Sequence, residues 1–249
     1  MIPRLARICR HPIKGHGRED LTSVSLSEGA CLPWDRHWAV AHEAAALVPG
    51  WNPCVNFARG AKAPALMAVT AQLDEATGTI TLSHPDLPGF RFRPDDPTDL
   101  PGFLAWVAPL APKTRAAPAR IVTAGRGMTD SDFPSVSILS LASLADLSAR
   151  MGQPLSPDRW RGNLWVDGLE PWAEWDWPGR SLRIGAAELQ IRERITRCRA
   201  TSANPLTGRI DVDTLAGLRM AYGHEDFGLY AVVSRGGTIR PGDSVEVVA

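Results

Sequence analysis

The chain has no excess of charge of either sign: Lys plus Arg number 27 and Asp plus Glu number 27, for a formal net charge of +0. Proteins that draw their affinity from many phosphates of DNA or RNA carry surplus cations, so no nucleic-acid partner is expected. A balanced total still leaves room for cations gathered in one pocket. No apolar run approaches the ~18–20 residues of a membrane span, so no membrane partner is expected. The start, Met1-Ile2-Pro3-Arg4-Leu5, lacks an apolar stretch of signal-peptide length. Four cysteines, Cys9, Cys31, Cys54 and Cys198, lie far apart without a Cys-x-x-Cys pair. That pattern fits reduced thiols rather than a disulfide framework. The expectation from these features is a cytoplasmic protein.

Familiar catalytic templates are missing as well. There is no G-x-S-x-G elbow, no G-x-x-x-x-G-K phosphate loop and no H-E-x-x-H zinc motif. Cys9 with His11, or Cys31 with His37, could seed a zinc site, but no second pair follows at ligand spacing.

What is present reads as mostly β with a few helices, an α+β chain. Short apolar-alternating segments occur around residues 2–8, 24–26, 36–41, 65–73 and 79–82, the last two joined by a loop of hairpin length. Residues 94–101 hold Pro94, Pro97 and Pro101, which remove ladder donors, and residues 109–118 are again proline-rich. We therefore divide the chain into a first region, 1–95, a proline-rich connection, 96–118, and a second domain, 119–249. In the second domain Ser140 can cap a helix from Leu141 to about Met151, and another helix runs from Asp213 to Gly223. Strands fill most of the remainder.

Thr196-Arg197-Cys198-Arg199-Ala200-Thr201 leads into Asn204-Pro205-Leu206-Thr207-Gly208. Guanidinium groups stabilise negative charge on a neighbouring sulfur, and a thiolate is a soft metal ligand. A buried structural cysteine is the other reading of Cys198, and chemistry alone leaves both open.

This run resembles the signature of the MOSC domain, named after the C-terminal domain of molybdenum cofactor sulfurases. Other stretches agree with the family in order: His11-Pro12-Ile13-Lys14-Gly15, Asp35-Arg36-His37-Trp38, Arg161 to Gly168, Phe227-Gly228, and Gly242-Asp243 before Val245. The resemblance implies an N-terminal β-barrel region packed on a MOSC β-barrel domain. It also implies a molybdenum cofactor (molybdenum–molybdopterin), with Cys198 as metal ligand and Lys14, Arg36, Arg161, Asn163, Thr196 and Arg197 as cofactor-binding residues. An aspartate of the loop 130–135, Asp132 or alternatively Asp130, would relay protons. Lys and Arg suit an anionic phosphate as point charge and fork respectively. Gly15 stands where many relatives have serine, so one hydroxyl contact would be missing and backbone N–H could replace it.

The implied activity is reduction of small N-hydroxylated substrates, as in the amidoxime reducing components and the bacterial hydroxylaminopurine-resistance reductases. The alternative is a non-catalytic carrier or store of the cofactor. No ferredoxin-type cysteine cluster is present, so a separate electron-donor protein is expected. Trp160, Trp165, Trp172, Trp175 and Trp177 crowd together among carboxylates, which favours barrel packing or a pocket wall over base stacking.

Overall fold

Alternation of apolar and polar residues gives the chain its sheets, and the computed structural model describes residues 2–248. The first half contains β1 (Arg4–Arg10), β2 (Ile13–Lys14), β3 (Glu19–Leu21), β4 (Val24–Leu26), β5 (Trp38–His42), β6 (Thr70–Asp74), β7 (Thr79–His84), β8 (Leu87–Phe92) and β9 (Pro118–Val122). The second contains β10 (Val136–Ser140), β11 (Leu164–Asp167), β12 (Ser181–Ile184), β13 (Ala187–Thr196), β14 (Asp226–Arg235), β15 (Gly237–Ile239) and β16 (Val245–Val248). The α-helices are α1 (Leu100–Val107), α2 (Leu141–Arg150) and α3 (Thr214–Tyr222). Mostly β with a few helices describes the chain.

The large sheet runs β16-β12-β13-β14-β10-β11-β1-β3. Its far strands meet again, because the Leu5 N–H donates to Asp243 O and the Val245 N–H to Pro3 O, both at 2.9 Å. The sheet thus curls into a barrel, which satisfies edge groups that would otherwise face water. Leu5, Ile8, Ile138, Leu164, Leu189 and Leu229 fill its interior, each at most 1% exposed. Outside it, α2 and α3 bury Leu144, Leu147 and Leu218 against Trp160, Trp165 and Phe227. Ser140 Oγ accepts from the Ser143 N–H at the start of α2, and Asp213 caps α3 through the Ala216 N–H.

A second core lies under the sheets β2-β5-β9 and β6-β7-β8, where Ile13, Trp38, Ile80 and Phe92 pack against α1 through Phe103. The Phe92 and Phe103 rings stack at 4.9 Å. β8 gave no sequence signal because Pro88-Gly89 reads as a turn; it is an edge strand, where proline costs no ladder bond. Residues expected to begin a strand at 65 instead form a 3-10 turn, Pro64–Ala68, started by the fixed φ of Pro64, and the strand begins at Thr70.

The proline-rich connection marks a change of composition more than a change of sheet. β1 and β3 belong to the large barrel, β4 pairs with β15, and β9 pairs with β5. The chain therefore crosses between its two cores, and the ground between them is lined from both halves.

Candidate functional site

A cavity of about 490 Å³ opens between the two cores. Lys14 ends β2, Arg36 precedes β5, Arg161 precedes β11, and Thr196, Arg197 and Cys198 leave the end of β13. All six line the cavity, although Lys14 and Cys198 are 184 residues apart. Arg59, Lys62, Arg159 and Arg199 join them, so eight cations surround a space that contains one carboxylate, Asp130. The balanced chain has concentrated its positive charge here.

The cations are held differently. Lys14 is 4% exposed, and its Nζ donates to Met128 O at 2.8 Å and to Asp130 Oδ1 at 2.5 Å. Burial, together with Arg36, lowers the Lys14 pKa, which Asp130 partly offsets. Arg36 pairs with the buried Asp35 and reaches Arg161 O at 2.9 Å. Burial alone would raise Asp35, yet Arg36 and His11 hold it well below the usual carboxylate range. Arg197 donates to Phe227 O at 2.7 Å and Trp160 O at 2.8 Å, with its guanidinium 5.6 Å from the Trp160 ring centre. Its Nη2 is buried without a partner. Burial lowers Arg197 to about 10.

Arg161 is the exception. Among the described residues its side chain takes part in no hydrogen bond or ion pair, and its Nη2 is buried. Burial and the neighbouring Arg36 push it down to about 9. Its backbone has φ +48°, and Arg36 has φ +51°, two of the four non-glycine residues with positive φ among the described residues. Left-handed backbone at a bulky residue is costly, and such strain gathers at binding sites. Gly162 lets this turn sit against β10, since a Cβ there would meet Leu139 Cδ1 at 2.1 Å. Gly15 also lines the cavity with φ +76°, and a Cβ on it would lie 2.6 Å from Ala58 O. Serine does not fit this backbone as it stands.

Cys198 is an exposed free thiol at the start of a short 3-10 turn, Arg199–Ser202. The Thr196 hydroxyl is engaged with Asp226 Oδ1 at 2.7 Å. Two expected site residues stand elsewhere. Asn163 is 1% exposed and does not line the cavity; its amide accepts from Ser137 Oγ at 2.8 Å and donates to Cys9 O at 3.2 Å, tying β11 to β10 and β1. Its amide is used up inside the protein. Asp132 is exposed and outside the cavity lining, whereas Asp130 reaches it through Lys14. Burial raises Asp130, but Lys14, Arg36 and Arg161 outweigh it and keep the carboxyl below its ordinary range. Sequence reasoning missed Cys54, Arg59, Lys62, Arg159 and Tyr230. The two-cation turn Arg59-Gly60-Ala61-Lys62 was the available signal for part of this set.

No group of three or more His, Cys, Asp or Glu among the described residues could hold a metal by itself. A metal in this cavity needs ligands that arrive with it. Nor is any helix of the described residues long and apolar enough to cross a membrane.

The MOSC N-terminal beta barrel domain matches residues 2–106, and the MOSC domain matches residues 127–246. This chain is a MOSC-domain protein carrying both units. It is 35% identical over 127 residues to mitochondrial amidoxime-reducing component 1 of Homo sapiens, and 32% identical over 126 residues to mitochondrial amidoxime reducing component 2 of the same organism. Each match covers 46% of this chain and 37% of the relative, so the match spans well under half the length of those proteins. The solved YUAD protein from Bacillus subtilis aligns over 99% of this chain and 96% of its own, at 14% identity and a TM-score of 0.49, too distant to carry an argument. The relatives correct one expectation. They are named as mitochondrial proteins, which overturns the cytoplasmic assignment made from the N-terminal residues and cysteine usage.

Proposed function

We propose that this cavity binds a molybdenum–molybdopterin cofactor and that the protein reduces N-hydroxylated substrates. The observation that carries the reading is Arg161: a guanidinium held unpartnered on a strained backbone, among seven further cations. A cation cluster with unpaired members costs stability, and an anionic ligand removes that cost. Arg161 and Arg197 would direct their free nitrogens at the phosphate of the pterin, where forked donors give both charge and direction. Lys14 and Arg36 would add charge from the N-terminal half. Cys198, at the cavity and free of any disulfide, would supply one soft sulfur ligand.

When bound, the cofactor would supply the two-electron reduction of an N–O bond. The curated relatives are named for amidoxime reduction, which supports this substrate class. Of the two aspartates weighed as a proton relay, Asp132 or alternatively Asp130, we favour Asp130 as the one at the cavity, in a positioning role. Kept ionised by its cationic neighbours, it fixes Lys14 Nζ at the cavity wall instead of storing a proton. A separate electron-donor protein completes the scheme.

The test is metal and pterin analysis of protein made in a host competent for the cofactor. Up to one molybdenum per chain, with pterin, is expected, together with repeated turnover of a hydroxylamine-type compound by the reduced protein. Stoichiometric binding without turnover leaves a carrier. Neither metal nor pterin after reconstitution refutes both.

A further inference from the structure

A second cavity of about 380 Å³ adjoins the first, and Arg59 and Lys62 line both. It sits between the end of β5, the turn Pro64–Ala68 and the stretch that follows α1. Its walls are apolar, with Phe57, Leu66, Val107 and Pro112 among them. Its polar lining consists of His42, Asn56, Arg59, Lys62 and Arg115, without a single carboxylate. Among the described residues none of the three cations joins an ion pair. Arg59 donates to Cys54 Sγ at 2.5 Å, and Lys62 and Arg115 are exposed at the rim. His42 directs Nε2 to Val55 O at 2.8 Å, and its other ring nitrogen is buried without a partner.

Apolar walls select a ligand with an apolar body, because removing that surface from water drives binding. Three cations that join no ion pair among the described residues select a negative head. Mostly apolar walls suit a ligand whose charge is confined to one small head. We propose that this cavity binds a small monocarboxylate, with its apolar body against Phe57, Leu66 and Val107 and its carboxylate toward Arg115, Arg59 and Lys62. Arg115 lines this cavity and not the first, and supplies a cation here whatever occupies the first.

Alanines report on it directly. Ala63 and Ala116 line the second cavity, and Ala200 lines the first. Full-length protein carrying labelled alanine methyls is titrated with octanoate and, separately, with octanol. Octanoate should shift Ala63 and Ala116 saturably while Ala200 stays put, and octanol should bind about tenfold more weakly, equivalent to ~1.4 kcal/mol. Arg115 is exposed and makes no side-chain hydrogen bond among the described residues, so Arg115→Gln leaves the fold intact. It should weaken octanoate about tenfold and leave octanol unchanged. The proposal is overturned by failure of octanoate to saturate below ~10 mM, by shifts at Ala200 in place of Ala63 and Ala116, by equal affinity for the two probes, or by unchanged octanoate affinity in Arg115→Gln.

Discussion

Replacing Arg161 by methionine should make the ligand-free protein more stable, although it removes a long side chain from a cavity wall. The side chain has no hydrogen bond or ion pair to lose among the described residues, and the contact from Arg36 goes to the Arg161 backbone carbonyl, which methionine keeps. What disappears is a charge in an unfavourable place. Burial and Arg36 bring Arg161 from the ordinary guanidinium range down to about 9. At roughly 1.4 kcal/mol for each step of one in pKa, that fall sets an upper limit on the order of 5 kcal/mol. Solvent reaches the cavity and screens the repulsion, so a gain of about 1–2 kcal/mol is the reasonable expectation. In a chain of this size that corresponds to a rise of about 2–8 °C in Tm.

The assay pairs urea unfolding of cofactor-free protein with titration of pyrophosphate, a simple polyanionic probe of the cavity. Wild type should be stabilised by the probe, and Arg161→Met should start higher and respond less, because binding to the folded state adds stability only where the ligand is held. Salt supplies an internal check: raising ionic strength should narrow the difference between the two proteins. If Arg161→Met loses stability without ligand, Arg161 has a structural partner, and the cation-cluster argument for an anion site fails.

Three further outcomes follow from the same geometry. Cys198→Ser should keep the fold within about 1 kcal/mol, as expected of an exposed position, while cutting turnover of an N-hydroxylated substrate by orders of magnitude; near-normal turnover in the folded variant would remove the ligand assignment. Gly15→Ser places a Cβ against Ala58 O at positive φ, so urea unfolding should show a loss of about 2–4 kcal/mol, and a change under about 0.5 kcal/mol would mean that the turn relaxes freely. Burial lowers His11 from 6.5 to about 3 and His16 to about 4, so their contribution is complete above pH 6.5 and declines by about 1.4 kcal/mol per pH unit per histidine toward pH 4. Asp35, also held low when folded, has the same sign and begins to add its loss only as pH falls below 3.8. Urea midpoints between pH 7 and pH 4.5 should therefore fall, His16→Gln should lessen the slope, and a flat profile would contradict the neutral buried histidines.

Local chemistry made some of this structure readable in advance. Ser140 and Asp213 announce their helices because a side-chain oxygen before an apolar-periodic run satisfies a free N–H, and both do so here. Lys14, Arg36, Arg161, Arg197 and Cys198 stand in short sequence motifs, and all of them line one cavity. Partnership between distant segments was not readable. Nothing in Arg4–Arg10 says that it pairs with Leu164–Asp167 and closes a barrel with residues near 243, because strand register is settled by long-range burial. Arg59 and Lys62 were missed for the same reason, since their two-cation turn does not say which distant segments it faces.

The exchanges of role within the site have a sharper physical cause. Asn163 carries the donors and acceptors that a pterin needs, but Ser137 on the neighbouring strand to one side and Cys9 on the neighbouring strand to the other need them too, and a buried backbone group left unsatisfied is the more expensive outcome. The amide therefore goes to the fold. Asp130 and Asp132 are chemically identical, two residues apart and both exposed, yet the turn brings only Asp130 to the cavity. The deciding contact is with Lys14, 116 residues away. A lysine that ends a buried strand has to be neutralised, and only one position of the loop presents a carboxylate within reach of its Nζ. Residue type thus determined what each group could do, and the partner waiting across the fold determined which group does it.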